Sequence, residues 1–213
     1  MKQVFTCSIF VTIIDENFKF IVIKTKMAKI SVFNFISLNG CYKGPKEDIS
    51  WHKQGDKSEE GEYAKRSLKA DSILLFGRTT YDMMSSFWPT PEAAKAFPEV
   101  AKGMNAAEKI VFSRKLKKAD WNNTTLIKGN LIDEVKKLKK SAKKDITILG
   151  SGTIITQLSE NGLIDSYQFM IDPVVVSNGT SIFDKIKKGL DLKLIETKVF
   201  KSGAVLHSYK PKK

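Results

Sequence analysis

The chain has 213 residues, of which 42% are hydrophobic and 28% charged, enough apolar material for a sizeable core and too much for a disordered tail. Its 36 Lys and Arg against 23 Asp and Glu leave a net charge of +13, which suits an anionic partner such as nucleic acid, a membrane surface or a phosphorylated ligand. Two cysteines, Cys7 and Cys41, stand in unrelated contexts with no Cys or His at ligand spacing, so a disulfide framework and a zinc site are both unsupported and a cytoplasmic setting fits.

Taken in chain order, the first feature is "VFTCSIFVTII", residues 4 to 14, which is apolar enough for the core of a signal peptide. Only Lys2 precedes it, however, and Asp15 and Glu16 follow where a cleavage site needs small residues. It is also too short to cross a bilayer. Residues 1 to 26 therefore read as an appended segment, and one folded domain is expected from Met27 to residue 213.

From Met27 the chain alternates. Strand-like runs stand at 29 to 36, 72 to 77, 108 to 113, 124 to 127 and 145 to 149, with helical patterns around 59 to 69, 79 to 86, 92 to 103, 130 to 141 and 153 to 161. Short β-branched runs separated by amphipathic helices predict an α/β fold, a mostly parallel sheet with helices on both faces. After residue 162 the helices stop, and "LIDSYQFMIDPVVV", "LDLKLIETKVF" and "GAVLHSYK" predict antiparallel strands closing one edge. The stretch 114 to 144 holds Arg114 and ten lysines, but around Leu131, Val135 and Leu138 they read as the solvated face of a helix, and no aromatic residue interleaves with the lysines of that helical pattern to stack bases.

In a parallel sheet, ligands gather at the carboxyl ends of strands, and three such ends carry chemistry: Gly77-Arg78-Thr79-Thr80, Ser113-Arg114 and Gly150-Ser151-Gly152-Thr153. Each is also ordinary turn and cap chemistry. Arg78 and Arg114 are nonetheless two of only three arginines beside 33 lysines, and a planar guanidinium grips phosphate where lysine serves mainly for solubility. Together with free helix-start N–H groups, the three ends point to a phosphate-bearing nucleotide.

"FGRTTYDMM", "IVFSR", "ILGSGTIITQL" and "GLIDSYQFMIDPVVVSNGTSIF", in that order, resemble the dihydrofolate-reductase fold, and more closely its relatives grouped with the reductase domain of the bifunctional riboflavin-biosynthesis protein. The resemblance runs from Met27 to about Tyr209. It implies an NADPH-dependent reductase acting on a pterin-like or aminopyrimidine ring, with phosphoribosylaminouracil reduction in riboflavin biosynthesis as the nearest named activity. Dihydrofolate reduction, or a basic nucleic-acid-binding protein on a reused fold, stays open. The expected partner is a small heterocyclic substrate rather than nucleic acid or a membrane, and family members commonly pair as homodimers. By resemblance Gly77, Arg78, Thr79 and Thr80 hold cofactor phosphates, Ser113 and Arg114 the ribose 2'-phosphate, and Gly150, Ser151, Gly152 and Thr153 the pyrophosphate. The first strand's exit, with Ser37 and Asn39, runs beneath the nicotinamide and meets substrate. Two departures stand out: a glycine pair of dihydrofolate reductases is here Gly150-Ser151, and Ser177 replaces a later glycine while Gly179 is kept.

Reduction of a ring C=N also needs a proton at nitrogen. In dihydrofolate reductases a carboxylate follows a tryptophan by five positions, and Trp51 to Asp56 repeats that spacing, making Asp56 the candidate acid. An ordinary loop aspartate is the plainer reading, and Asp48, Glu59 and Glu60 are rivals. His52 lies in the same loop with no partner evident in the sequence, and His207 reads as structural. Trp88, before a Pro-rich turn, is either a core plug or a surface on which a planar substrate stacks.

Overall fold

The computed structural model describes residues 10–14, 20–24, 27–52, 58–69 and 71–212. Two strands, β1 (Phe10–Ile14) and β2 (Phe20–Lys24), pair antiparallel as a separate two-stranded sheet, with Phe10 opposite Lys24 and Ile14 opposite Phe20. The chain enters the main body at Ala28, whose N–H donates to the Lys139 carbonyl.

Strand β3 (Ile30–Ser37) follows, then the short β4 (Cys41–Lys43), α1 (Glu59–Lys69), β5 (Ile73–Gly77) and α2 (Arg78–Phe87). Next come α3 (Pro91–Ala96), α4 (Pro98–Ala106), β6 (Lys109–Phe112), β7 (Thr124–Ile127), α5 (Leu131–Ser141), β8 (Ile146–Leu149) and α6 (Gly152–Glu160). The chain finishes with β9 (Ser166–Asp172), β10 (Thr180–Ser181), β11 (Leu192–Val199) and β12 (Val205–Pro211). Eight strands form one sheet in the order β11-β12-β9-β3-β8-β5-β6-β7, while β4 and β10 pair separately.

The predicted α/β class holds. Strands β3, β5, β6, β7 and β8 run parallel to their neighbours. The expected antiparallel ending is there, β12 pairing antiparallel with both β9 and β11, with one correction: β9 itself lies parallel to β3, from Ser31 opposite Ser166 to Ser37 opposite Asp172. The expected helix over 92 to 103 is also two helices. Pro98 has no N–H to donate and pushes Phe97 out of the helical region, to φ −139° and ψ 63°.

Alternation along the strands builds two larger cores and a smaller one of Met170, Phe200, Ala204 and Leu206. Ile73 and Leu75 of β5 join Ile30, Val32, Ile146 and Ile148 beneath α5 and α6, which contribute Val135, Ile154, Ile155 and Leu158. Leu74 and Phe76 face the other way, against Tyr81 of α2, Val100 and Met104 of α4, and Trp121. Each such side chain contributes about 1.5–3 kcal/mol on burial, so β5, apolar on both faces, belongs in the interior of the sheet. Among the described residues no helix is long and apolar enough to cross a membrane.

Candidate functional site

Neighbouring strands β5 and β8 lead into helices through glycine, β5 directly from Gly77 and β8 by way of Gly150 and Ser151, so the starts of α2 and α6 lie side by side at the carboxyl edge of the sheet. Neither helix has a side chain capping its first turn. What joins them is Ser151. Its hydroxyl accepts the Gly77 N–H at 2.7 Å and donates to Thr80 Oγ1 at 2.9 Å. To do so Ser151 sits in the left-handed region at φ 65°, where a glycine would be unstrained. Gly150 is also left-handed, and a Cβ there would fall 2.8 Å from Thr80 Cγ2. Its N–H donates to the Asn34 side chain at 3.1 Å, linking the junction to β3.

The sequence-derived phosphate residues therefore divide by role. Gly77 N–H and the Ser151 hydroxyl engage each other, Thr80 is buried, and Gly152 packs so near Tyr42 that a Cβ would lie 3.2 Å from the ring. Arg78, Thr79 and Thr153 are exposed on the rim, Arg78 in an ion pair with Asp82 at 3.0 Å. One strand further on, the Ser113 hydroxyl accepts the N–H groups of Lys115 and Leu116, which holds the turn and leaves Arg114 exposed with no ion pair to a described residue. Lys43, which the sequence did not mark, adds a third cation. Paired with Glu47 at 2.6 Å, it lines a small cavity of about 130 Å³ at the start of α2 together with Glu47, Tyr42, Thr79, Thr80 and Met83.

On the face of the sheet covered by α2 and α4 lies a larger cavity, about 380 Å³. Phe33, Phe35, Leu74, Leu149 and Gln168 form its floor, and Met84, Trp88, Val100 and Met104 its roof. A row of hydroxyls crosses the far end: Ser31 Oγ lies 3.3 Å from Thr147 Oγ1, which donates to Ser72 Oγ at 3.0 Å. Trp88 serves both of its expected readings, packing edge-on against Phe87 and Phe97 while lining the cavity. Ser37 and Asn39 are engaged internally. Ser37 Oγ donates to Asn39 Oδ1 and accepts the Cys41 N–H, and Asn39 exchanges two hydrogen bonds with the Val176 backbone. They brace the exit of β3 beside the site.

Asp56 lies outside the described residues. Its neighbour His52 is placed, and it has the partner that sequence did not reveal: Nδ1 is 2.6 Å from Oδ2 of Asp172 at the end of β9. Glu60 of α1 is buried nearby. Burial alone would raise its carboxyl, but hydrogen bonds from Ser202, its own backbone and Ser58, with His52 close by, hold it below the ordinary value. The three groups come from a loop, a strand end and a helix start, so no local motif could have announced them.

A family model of the RibD C-terminal domain matches residues 28–206. YyaP of Bacillus subtilis (strain 168), an uncharacterized protein, is 29% identical over 180 residues, covering 84% of this chain and 93% of its own. In fold the chain is similar to the deaminase/5-amino-6-(5-phosphoribosylamino)uracil reductase of Thermotoga maritima, with a TM-score of 0.64, 12% identity and 88% and 57% of the two chains covered. It is similar also to a dihydrofolate reductase of Enterococcus faecalis complexed with NADP(H), with a TM-score of 0.58, 13% identity and 87% and 97% covered.

Proposed function

We propose that this chain, which belongs to the RibD C-terminal domain family, is an NADPH-dependent reductase of a pterin-like or aminopyrimidine ring, and that residues 27–213 are its reductase domain. One observation carries the reading. Two helix starts without side-chain caps lie together at the ends of β5 and β8, and the cavity opens along the adjoining strands. Helix starts of this kind attract phosphate through unpaired N–H groups and the positive end of the dipole. From β6 to β3 the sheet edge spans three strand spacings, roughly 14 Å, with Arg114 at one end, Arg78, Thr79 and Thr153 in the middle and the exit of β3 at the other.

The residues present fit a nicotinamide dinucleotide: Arg114 would hold the 2'-phosphate, and the starts of α2 and α6 the pyrophosphate. When bound, the cofactor supplies a hydride to the substrate ring. The chain orients that ring between Trp88 and the floor formed by Phe33 and Phe35, and the apolar walls exclude water. The dihydrofolate reductase neighbour complexed with NADP(H) supports the choice of cofactor.

The test is a fluorescence titration of the purified chain with NADPH and NADH. NADPH should bind more tightly, and Arg114→Ala should narrow the difference by about 1–3 kcal/mol, the scale of a lost charge-assisted hydrogen bond. Equal affinities in the parent would remove the assignment of Arg114.

The same proposal includes a homodimer. Strand β11 is an outer strand of the sheet and leaves Leu194, Ile195 and Val199 exposed, an edge that proteins generally cover. Light scattering at physiological salt should give twice the chain mass, and one chain mass across the micromolar range would refute it.

A further inference from the structure

We infer that His52, held by Asp172 and packed on Phe35 of the large cavity's floor, delivers the proton to the substrate nitrogen. The inference rests on the reductase reading above and assigns the residue that completes the reaction. Paired residues of parallel strands share a face, so Asp172, opposite Ser37 at the last position of the β3–β9 ladder, stands on the same face as Phe35 and Phe33. Its carboxylate is buried, the residue being 4% exposed. The His52 ring lies over Phe35, with centroids 3.9 Å apart, and Phe35 is part of the cavity floor. The imidazole is thus fixed between a buried carboxylate and a ring of the cavity floor, at the end of the strand where the proposed nicotinamide site lies.

A carboxylate at Nδ1 holds the proton on that nitrogen and turns Nε2 outward. Nε2 makes no hydrogen bond to a described residue, and the side chain is 23% exposed, so solvent can restore its proton. Hydride addition to the carbon of a C=N bond moves the π pair onto nitrogen. The imidazolium Nε2–H then gives its proton to that nitrogen and is reprotonated by water. The sum is C=N plus NADPH plus a proton, giving CH–NH and NADP⁺. Among the described residues, the charged groups facing His52 are Asp172 from β9 and Glu60 from α1, and Phe35 and Trp51 pack against the ring. Asp172 is a positioning residue: it acts through the histidine.

The experiment uses the full chain, His52→Gln, His52→Phe and Asp172→Asn. Without substrate and at alkaline pH, nitrogen NMR of the neutral form of the parent imidazole should place its proton on Nδ1, and Asp172→Asn should mix the tautomers. A neutral parent ring whose proton sits on Nε2 rather than Nδ1 overturns the proposal with no turnover needed. For turnover, dihydrofolate and phosphoribosylaminouracil are each offered with NADPH. The histidine variants should bind NADPH as the parent does and lose about 100-fold in kcat with KM little changed. The parent's kcat should fall with rising pH and the histidine variants should lose that fall, and Asp172→Asn should lose about 10-fold in kcat. Parent-like kcat and pH profile in both histidine variants, with NADPH bound normally, overturns this proposal alone. A parent that does not bind NADPH overturns the reductase reading instead, and one that binds it but reduces neither probe overturns the proton-delivery role.

Discussion

Lys109→Met is expected to destabilise the protein by about 3 kcal/mol, measured by urea unfolding at neutral pH. Lys109 opens β6, is only 1% exposed, and turns its ammonium to the end of α4. There Nζ donates to the carbonyls of Met104 at 2.8 Å, Ala107 at 2.6 Å and Asn105 at 3.3 Å, and lies 4.5 Å from the centre of a Trp121 ring. The last carbonyls of a helix have no partner within it and carry the negative end of its dipole. Methionine replaces the stem and removes all three donors, leaving acceptors whose desolvation costs about 1–3 kcal/mol each where water does not reach them. A loss below about 1 kcal/mol would mean that water takes over the role of the ammonium.

The effect carries a pH signature. Burial pushes the Lys109 ammonium down to about 8 from 10.5. Between those values the unfolded chain retains a proton that the native chain has released, so parent stability from this group rises with pH through the window. The methionine variant lacks the slope, and the cost of the substitution should widen from pH 8 towards 10.5.

At Ser151 the expected order of two substitutions runs against helix propensity. Ser151→Ala keeps a side chain at φ 65° and removes the hydroxyl that receives the Gly77 N–H and reaches Thr80. Together these should cost about 2–3 kcal/mol. Ser151→Gly loses the same hydrogen bonds but relieves about 1–2 kcal/mol of left-handed strain, so it should be the more stable of the two. Both should weaken NADPH binding, because the hydroxyl sets the spacing of the two helix starts. Thermal unfolding of the pair decides the matter, and alanine equal to or better than glycine would contradict the bridging role. Serine in place of a glycine is thus an exchange of backbone ease for a cross-strand tie.

How much of this could be read from the sequence depends on range. The strand at 73 to 77 and its glycine exit were legible because a fully buried parallel strand is apolar at every position, as β5 is. The helix predicted over 130 to 141 was legible from Leu131, Val135 and Leu138; the Asn130 cap, whose side chain accepts two N–H groups, emerged only with the structure. The direction of β9 was not, since an alternating strand looks alike in either orientation and only its partner decides. Nor did composition separate lysines by role. Lys139, in the run that reads as a solvated face, pairs with Asp165 at 2.6 Å and donates to the Leu163 carbonyl, while Lys109 looks like any strand-start lysine. In the site, the two glycine-bearing junctions and the Ser113-Arg114 turn were legible because each is local. The His52–Asp172 pair spans 120 residues, and nothing near either residue records the other.

Strand β3 sits in the middle of the sheet, yet both its partners, β8 and β9, begin more than 100 residues later. At ribosomal speed that delay is on the order of ten seconds, during which Phe33 and Phe35 have no sheet to join. By contrast β5, β6 and β7 with α2 to α4 follow one another closely and can assemble as they emerge. The nascent chain thus holds an early apolar strand in waiting until its second half arrives to enclose it, and that interval is when it most needs a chaperone's shelter from association with other chains.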